Sequence, residues 1–242
     1  MVINDKSLTW CIFLLSLSVS PVNAAEPQEQ PENVAMAEIS EPPTPPSEMY
    51  LAVIAGRANV DDSNVTATYD CILCTPVTVS KNVEFENGDT QIVRFGEWGV
   101  GGYEYAGISA ELTRTGAHSG QVEAEYYALS VMPALRYPLF KTSSMPSGHV
   151  NLYMGLALSW TITGDISVQF PEFPTSKMES DDVSGNGTGV FAGVSARYSN
   201  FALLFEWRKM DMSLTGDVYL GGNVDLSVNT SQSLLGVAYY FR

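Results

Sequence analysis

Between Ser231 and Phe241 the sequence places Leu235, Val237, Tyr239 and Phe241 on one face of an extended strand. A stripe with a period of two residues, tipped with aromatics, describes a ribbon with one face against an apolar medium. No helix has that period. Outside the leader region, no segment reaches the roughly 18 to 20 uninterrupted apolar residues that a helix needs to cross a bilayer. If this chain enters a membrane, it does so with strands. The hydrophobic share of 45% fits a soluble domain and a membrane barrel equally well, because lipid-facing residues alternate with lumen-facing ones.

The amino terminus carries Lys6, an apolar run over 10–17 and small residues at Val22 and Ala24, which reads as a secretory signal over 1–24, cleaved after Ala24 or Ala25. Cys11 leaves with it. Residues 25–47 are rich in proline and glutamate and read as a disordered tether with nothing to bury. A net charge of -15 excludes nucleic acid as a partner, since phosphate binding needs a basic surface. The acidity concentrates at Asp61, Asp62, Asp70, Glu84, Glu86 and Asp89, and again at Glu172, Glu179, Asp181 and Asp182. Those segments are expected to lie outside the cell. Cys71 and Cys74 are expected to form a local disulfide after export, with free thiols or a metal or redox role as alternatives. Only two histidines, His118 and His149, exist to complete a zinc site.

From residue 48 onward eight alternating stretches appear, at 49–58, 92–105, 108–115, 122–137, 150–161, 189–199, 201–210 and 231–241. In the fifth, Leu152, Met154, Leu156, Leu158 and Trp160 oppose Tyr153, Gly155, Ala157 and Ser159. The sixth sets Val190, Ala192, Val194, Ala196 and Tyr198 against Phe191, Gly193, Ser195 and Arg197. Leu203, Phe205 and Trp207 alternate with Leu204, Glu206 and Arg208 in the seventh. In the fourth, Tyr127, Leu129, Val131, Leu135 and Tyr137 alternate with Ser130, Met132 and Arg136. The second stretch is expected to turn Trp98 outward and Glu97 inward, although Phe95 and Tyr105 then fall in the wrong class; the facing of the first is open. Tight turns are expected at Ala106-Gly107 and Ser199-Asn200, and long loops at 59–91, 162–188 and 211–230. Short turns belong to the periplasmic side of such barrels, which puts both termini there.

A strand in lipid needs every backbone group paired, so the ribbons must close into a ring, the last on the first. Eight strands leave a bore just wide enough to be filled by side chains. The inward set collects Glu97, Glu111, Arg136, Arg197, Glu206 and Arg208, which would pair across a plugged lumen because an unpaired buried charge costs several kcal/mol. Two other readings stay open: a gate in a narrow pore, and simple rim charges. Leu152, Leu156, Phe205 and Val237 are expected to face acyl chains, with Trp160, Tyr198, Trp207, Tyr239 and Phe241 in the aromatic girdles.

The Gly-Val-Gly-Gly-Tyr of 99–103, the Ile-Ser-Ala-Glu-Leu-Thr-Arg of 108–114 and the final Leu-Leu-Gly-Val-Ala-Tyr-Tyr-Phe resemble the eight-stranded outer-membrane β-barrels, the group of the outer-membrane protein A transmembrane domain and the opacity-type adhesins. The resemblance covers about 48–242 and implies an all-β, antiparallel, up-and-down transmembrane barrel. It implies as partners outer-membrane lipid and lipopolysaccharide, the barrel assembly machinery through the C-terminal strand, and an external surface ligand. A monomer without cofactor or metal is expected. The glycines of 99–103 are read as inward positions that make room in the lumen. Function then falls between a structural or surface-interaction role and a narrow channel, with a lipid-modifying enzyme third: His118-Ser119 and the Ser147/His149 pair match no catalytic motif.

Overall fold

The computed structural model describes residues 47–61, 63–70, 75–142, 148–173, 177–218 and 221–241. The expected signal, the expected tether up to residue 46, and Cys71 and Cys74 lie outside the described residues. Among the described residues eleven strands follow in order: β1 (Glu48–Val60), β2 (Ser63–Tyr69), β3 (Val77–Val83), β4 (Gly88–Trp98), β5 (Ala106–His118), β6 (Val122–Leu139), β7 (Val150–Val168), β8 (Met178–Ser180), β9 (Asp182–Tyr198), β10 (Phe201–Asp217) and β11 (Gly222–Tyr240). Eight of them close a ring in the order β1-β4-β5-β6-β7-β9-β10-β11, antiparallel at every seam. Closure is made by β1 against β11, with Tyr50 opposite Tyr240 and Val60 opposite Thr230. Every strand of the ring thereby has two neighbours, the only arrangement of strands that leaves no unpaired edge in lipid.

The alternation read from the sequence sets the faces. On β10, Ala202, Leu204, Glu206 and Arg208 are buried while Phe201, Leu203, Phe205 and Trp207 are exposed. Leu152, Leu156, Trp160, Tyr198, Val237, Tyr239 and Phe241 also face outward. On β1 the inward set is Tyr50, Ala52 and Ile54. The apolar outer band ends abruptly: on β10 Trp207 is followed outward by Lys209, Asp211, Ser213 and Thr215, and on β11 Leu235 gives way to Ser233 and Ser227. On β7 the outward apolar series from Leu152 to Ile162 covers about 25 Å along the barrel axis, for a rise of ~3.3 Å per residue and a strand tilt of ~40°. That matches the height of the apolar band of a membrane barrel. A β-bulge at its upper end, where Ile162 and Thr163 are both exposed, resets the parity of β7 as it leaves the band.

Above the band the relation of faces inverts. The interior becomes apolar, with Met212, Leu214, Leu226, Val228, Val65, Ile166 and Phe170 buried, while the exterior becomes polar. The lower barrel therefore follows membrane logic and the upper barrel follows aqueous logic, and β10 and β11 pass from one to the other without a change in register. The β2–β3 hairpin belongs to this upper part, with β2 continuing the line of β1 along β11 from Leu226 to Gly222.

Four expectations are corrected. The segments 59–91, 162–188 and 211–230 are largely strand, because cross-strand pairing and an apolar interior offset the weak strand preference of their Asn, Asp, Ser and Gly residues. The turn between β4 and β5 is made by residues 99–105, not by Ala106-Gly107, which open β5. Gly99, Gly101 and Gly102 have φ of 89°, 64° and 83°, so these glycines serve a tight turn in left-handed geometry and do not line the lumen. Finally, Glu97 lies on the outer face and Trp98 inside. The Trp98 ring stacks near Tyr50 at 6.5 Å and fills the space over Gly107, where a Cβ would overlap it. Gly107→Val is expected to lower stability by about 1–3 kcal/mol through overpacking and to shift Trp98 emission; unchanged urea unfolding in micelles would refute the contact.

Candidate functional site

Two clusters of charge occupy the lumen. The central one joins Arg94 on β4, Glu111 on β5, and Glu206 and Arg208 on β10, all at most 3% exposed. Arg94 donates from both terminal nitrogens to the Glu206 carboxylate at 2.8 Å each, and from Nε to Glu111 Oε2 at 3.1 Å. Arg208 donates to both Glu111 oxygens at 2.6 and 3.2 Å and from Nε to Glu206 Oε1 at 3.0 Å. The Thr113 hydroxyl donates to Glu111 Oε1 at 2.9 Å. Two positive and two negative groups therefore neutralise one another with fork geometry, which is the condition for keeping charge out of water. Because β5 and β10 stand on opposite sides of the ring, the quartet crosses the bore.

The second cluster sits where β1 begins and β11 ends. Glu48 accepts from Arg136 at 2.8 Å and also from Arg197. Arg136 lies over the Trp98 ring at 5.0 Å and Arg197 over Tyr240 at 4.0 Å, so the cations are backed by aromatic faces. Small cavities flank the quartet: about 20 Å³ toward the Glu48 end and about 10 Å³ beside Gln232 on the other side. The larger has room for about one water molecule. Buried side-chain oxygens without a protein partner, those of Asn151, Tyr153 and Gln232, line these two spaces.

Of the charges singled out in the sequence, Glu111, Glu206 and Arg208 meet in the quartet, Arg136 and Arg197 meet at the mouth, and Glu97 joins neither. Arg94 and Glu48 went unread. Arg94 alternates with the outward Val93 and Phe95, so the misfit of Phe95 is the sequence signal for the true parity of this strand.

At the opposite end, Phe170 and Phe173 stack at 5.8 Å inside the upper barrel. Lys81 of β3 reaches over the Phe170 ring at 4.9 Å and pairs with Glu172 at 2.7 Å. That hydrogen bond holds the Glu172 carboxyl below its ordinary range. At this end Asp61, Asp70, Glu84, Glu86, Asp89, Glu172, Glu179, Asp181 and Asp182 are exposed. The two histidines lie at opposite ends of the barrel. His118 closes β5 on the outer surface, beside Ser119, whose hydroxyl is bonded to Val122 backbone groups. His149 contacts Thr142 at 3.2 Å, and Ser147 lies outside the described residues. Among the described residues no group of three or more His, Cys, Asp or Glu side chains could hold a metal ion.

No protein-family profile matches the sequence, and no curated protein matches it. Among solved structures, the outer membrane protein OprG from Pseudomonas aeruginosa is similar over 80% of this chain and 96% of its own, at 10% identity and a TM-score of 0.51. Neisserial surface protein A aligns over 81% of this chain and 100% of its own, at 17% identity and a TM-score of 0.48. The similarity to OprG and the closed ring together identify the fold as that of the eight-stranded outer-membrane β-barrels. At such identities they say nothing further about activity.

Proposed function

We propose, from the eight-stranded outer-membrane barrel fold, that this chain is an integral outer-membrane protein with a lumen closed to solutes and a structural or surface-interaction role carried by its acidic outer rim. One observation carries the reading: the bore is crossed by a fully paired quartet, with spaces of only about 20 and 10 Å³ beside it and an apolar core above it. The first strand of the ring starts and the last one ends at the same end of the barrel as the turns 99–105 and 199–200, and short turns face the periplasm in such barrels, which supports periplasmic termini. It acts as a monomer, delivered to the assembly machinery through β11.

Refolded protein added to planar bilayers is expected to give no discrete conductance steps; a reproducible open level would overturn the closed lumen. A gated pore is the second reading, favoured by each arginine of the quartet already touching both carboxylates, so that partners can exchange over short distances. An open level that appears only on polarisation would establish it. The chain is not proposed to be an enzyme, and lipid A mass spectra with and without its gene should be identical.

A further inference from the structure

Ten basic residues are described in the barrel, and eight of them, Lys81, Arg94, Arg114, Arg136, Lys141, Lys177, Arg197 and Arg208, each have a carboxylate partner. Among the described residues, Arg57 and Lys209 make no ion pair. In a chain with 27 acidic and 12 basic residues, two cations left over are notable for where they stand. Both are exposed on the outer face, each at the first polar step above the apolar band: Arg57 follows Val53 and Ala55 on β1, and Lys209 follows Trp207 on β10. Both flank the same strand, β11, with Arg57 opposite Ser233 and Lys209 opposite Ser231. Two strand spacings and a two-residue offset separate their Cα atoms by about 12 Å. An arginine and a lysine side chain are long enough to reach, from both sides, a group held between them over Ser231 and Ser233.

We propose that Arg57 and Lys209, with Ser231 and Ser233, bind a phosphate of a phosphorylated outer-leaflet glycolipid. The proposal rests on the outer-membrane placement argued above. Three tiers of the surface match the three parts of such an amphiphile. Below the cations lie Leu203, Phe205, Leu235 and Val237, exposed and apolar, for acyl chains. At their level guanidinium and ammonium meet the phosphate, an anion that arginine grips through parallel hydrogen bonds. Above them Asn59, Asn229, Ser227 and Ser213 present amide and hydroxyl groups suited to sugar. Asp211, the next outward step on β10, adds a carboxylate at that upper level. Asp89, across from Arg57, has its carboxylate on Arg114 at 3.1 Å.

The test uses the full mature chain, refolded in zwitterionic micelles and shown to be folded by its heat-dependent gel mobility. Trp207 emission would be followed on titration with bis-phosphorylated lipid A, with the same lipid stripped of phosphate, and with inorganic phosphate. Arg57→Gln and Lys209→Gln are each expected to weaken lipid A binding roughly fivefold, and the pair together about 25-fold, given the usual contribution of a basic residue at an anionic lipid surface. Arg114→Gln, which removes an already paired cation, should stay close to the parent. Dephosphorylated lipid A should bind the parent as weakly as phosphorylated lipid A binds the double variant. Equal binding of both lipids, or an unaffected double variant, overturns the site; saturable binding of inorganic phosphate of equal strength overturns the glycolipid assignment. Fractionation that finds the protein outside the outer membrane would sink the functional reading itself, whereas a correctly placed barrel with no phosphate preference sinks only this proposal.

Discussion

Glu206→Ala is expected to lower the unfolding free energy by about 3–5 kcal/mol, the range for removing one member of a buried, hydrogen-bonded charge set. Glu206 is fully buried and receives hydrogen bonds from both Arg94 and Arg208. Without it, two guanidiniums share Glu111, and one positive charge is left inside the bore with no water to receive it. The paired replacement Arg94→Met with Glu206→Met should recover most of the loss. It leaves Arg208 and Glu111 joined at 2.6 and 3.2 Å, a neutral couple, and fills the vacated space with apolar atoms. Urea unfolding in lipid vesicles, followed by the heat-sensitive gel shift, measures both. A single variant within about 1 kcal/mol of the parent would show that the quartet is not isolated from water.

Leu156→Arg is the second large effect, expected at about 2–4 kcal/mol, the cost of a cation at the middle of the lipid-facing wall. Leu156 stands midway along the outer apolar series of β7, between Leu152 and Trp160. Ser213→Arg supplies the contrast. Ser213 is also outward and exposed, but on the part of β10 above the band, where a charge stays in water and the change should stay within about 0.5 kcal/mol. The same vesicle unfolding reads both variants. Equal losses would mean that the band has been placed at the wrong height.

How far the sequence could be read depended on which signals competed along each strand. The lower halves of β9 and β10 are legible because their outward residues are uniformly apolar while Gly193, Ser195, Glu206 and Arg208 punctuate the other face. β4 was misread because Gly99, Val100 and Gly101 continue its alternation on paper while the backbone has already turned. One false step of parity there moved Trp98 outside, put Glu97 inside and hid Arg94. The upper halves of β9, β10 and β11 read as loops in the sequence because their outward positions are Asn, Asp, Ser and Thr, residues that also make turns. Yet Leu214, Leu226 and Val228 keep the two-residue beat across that region. What changed there was the solvent, and a reading that equates the apolar face with the outside cannot follow a strand from lipid into water. Glu48 escaped for a different reason: β1 is apolar on both faces, from Leu51 to Ile54, and gives periodicity nothing to discriminate.

The inverted interior of the upper barrel has a consequence for variation at that end of the molecule. Above the bilayer each ribbon is anchored by its own packed aliphatic and aromatic filling, so alternate residues there answer to no neighbour inside. Those positions can drift in identity, or be recognised and escape recognition, while the scaffold that displays them stays as it was.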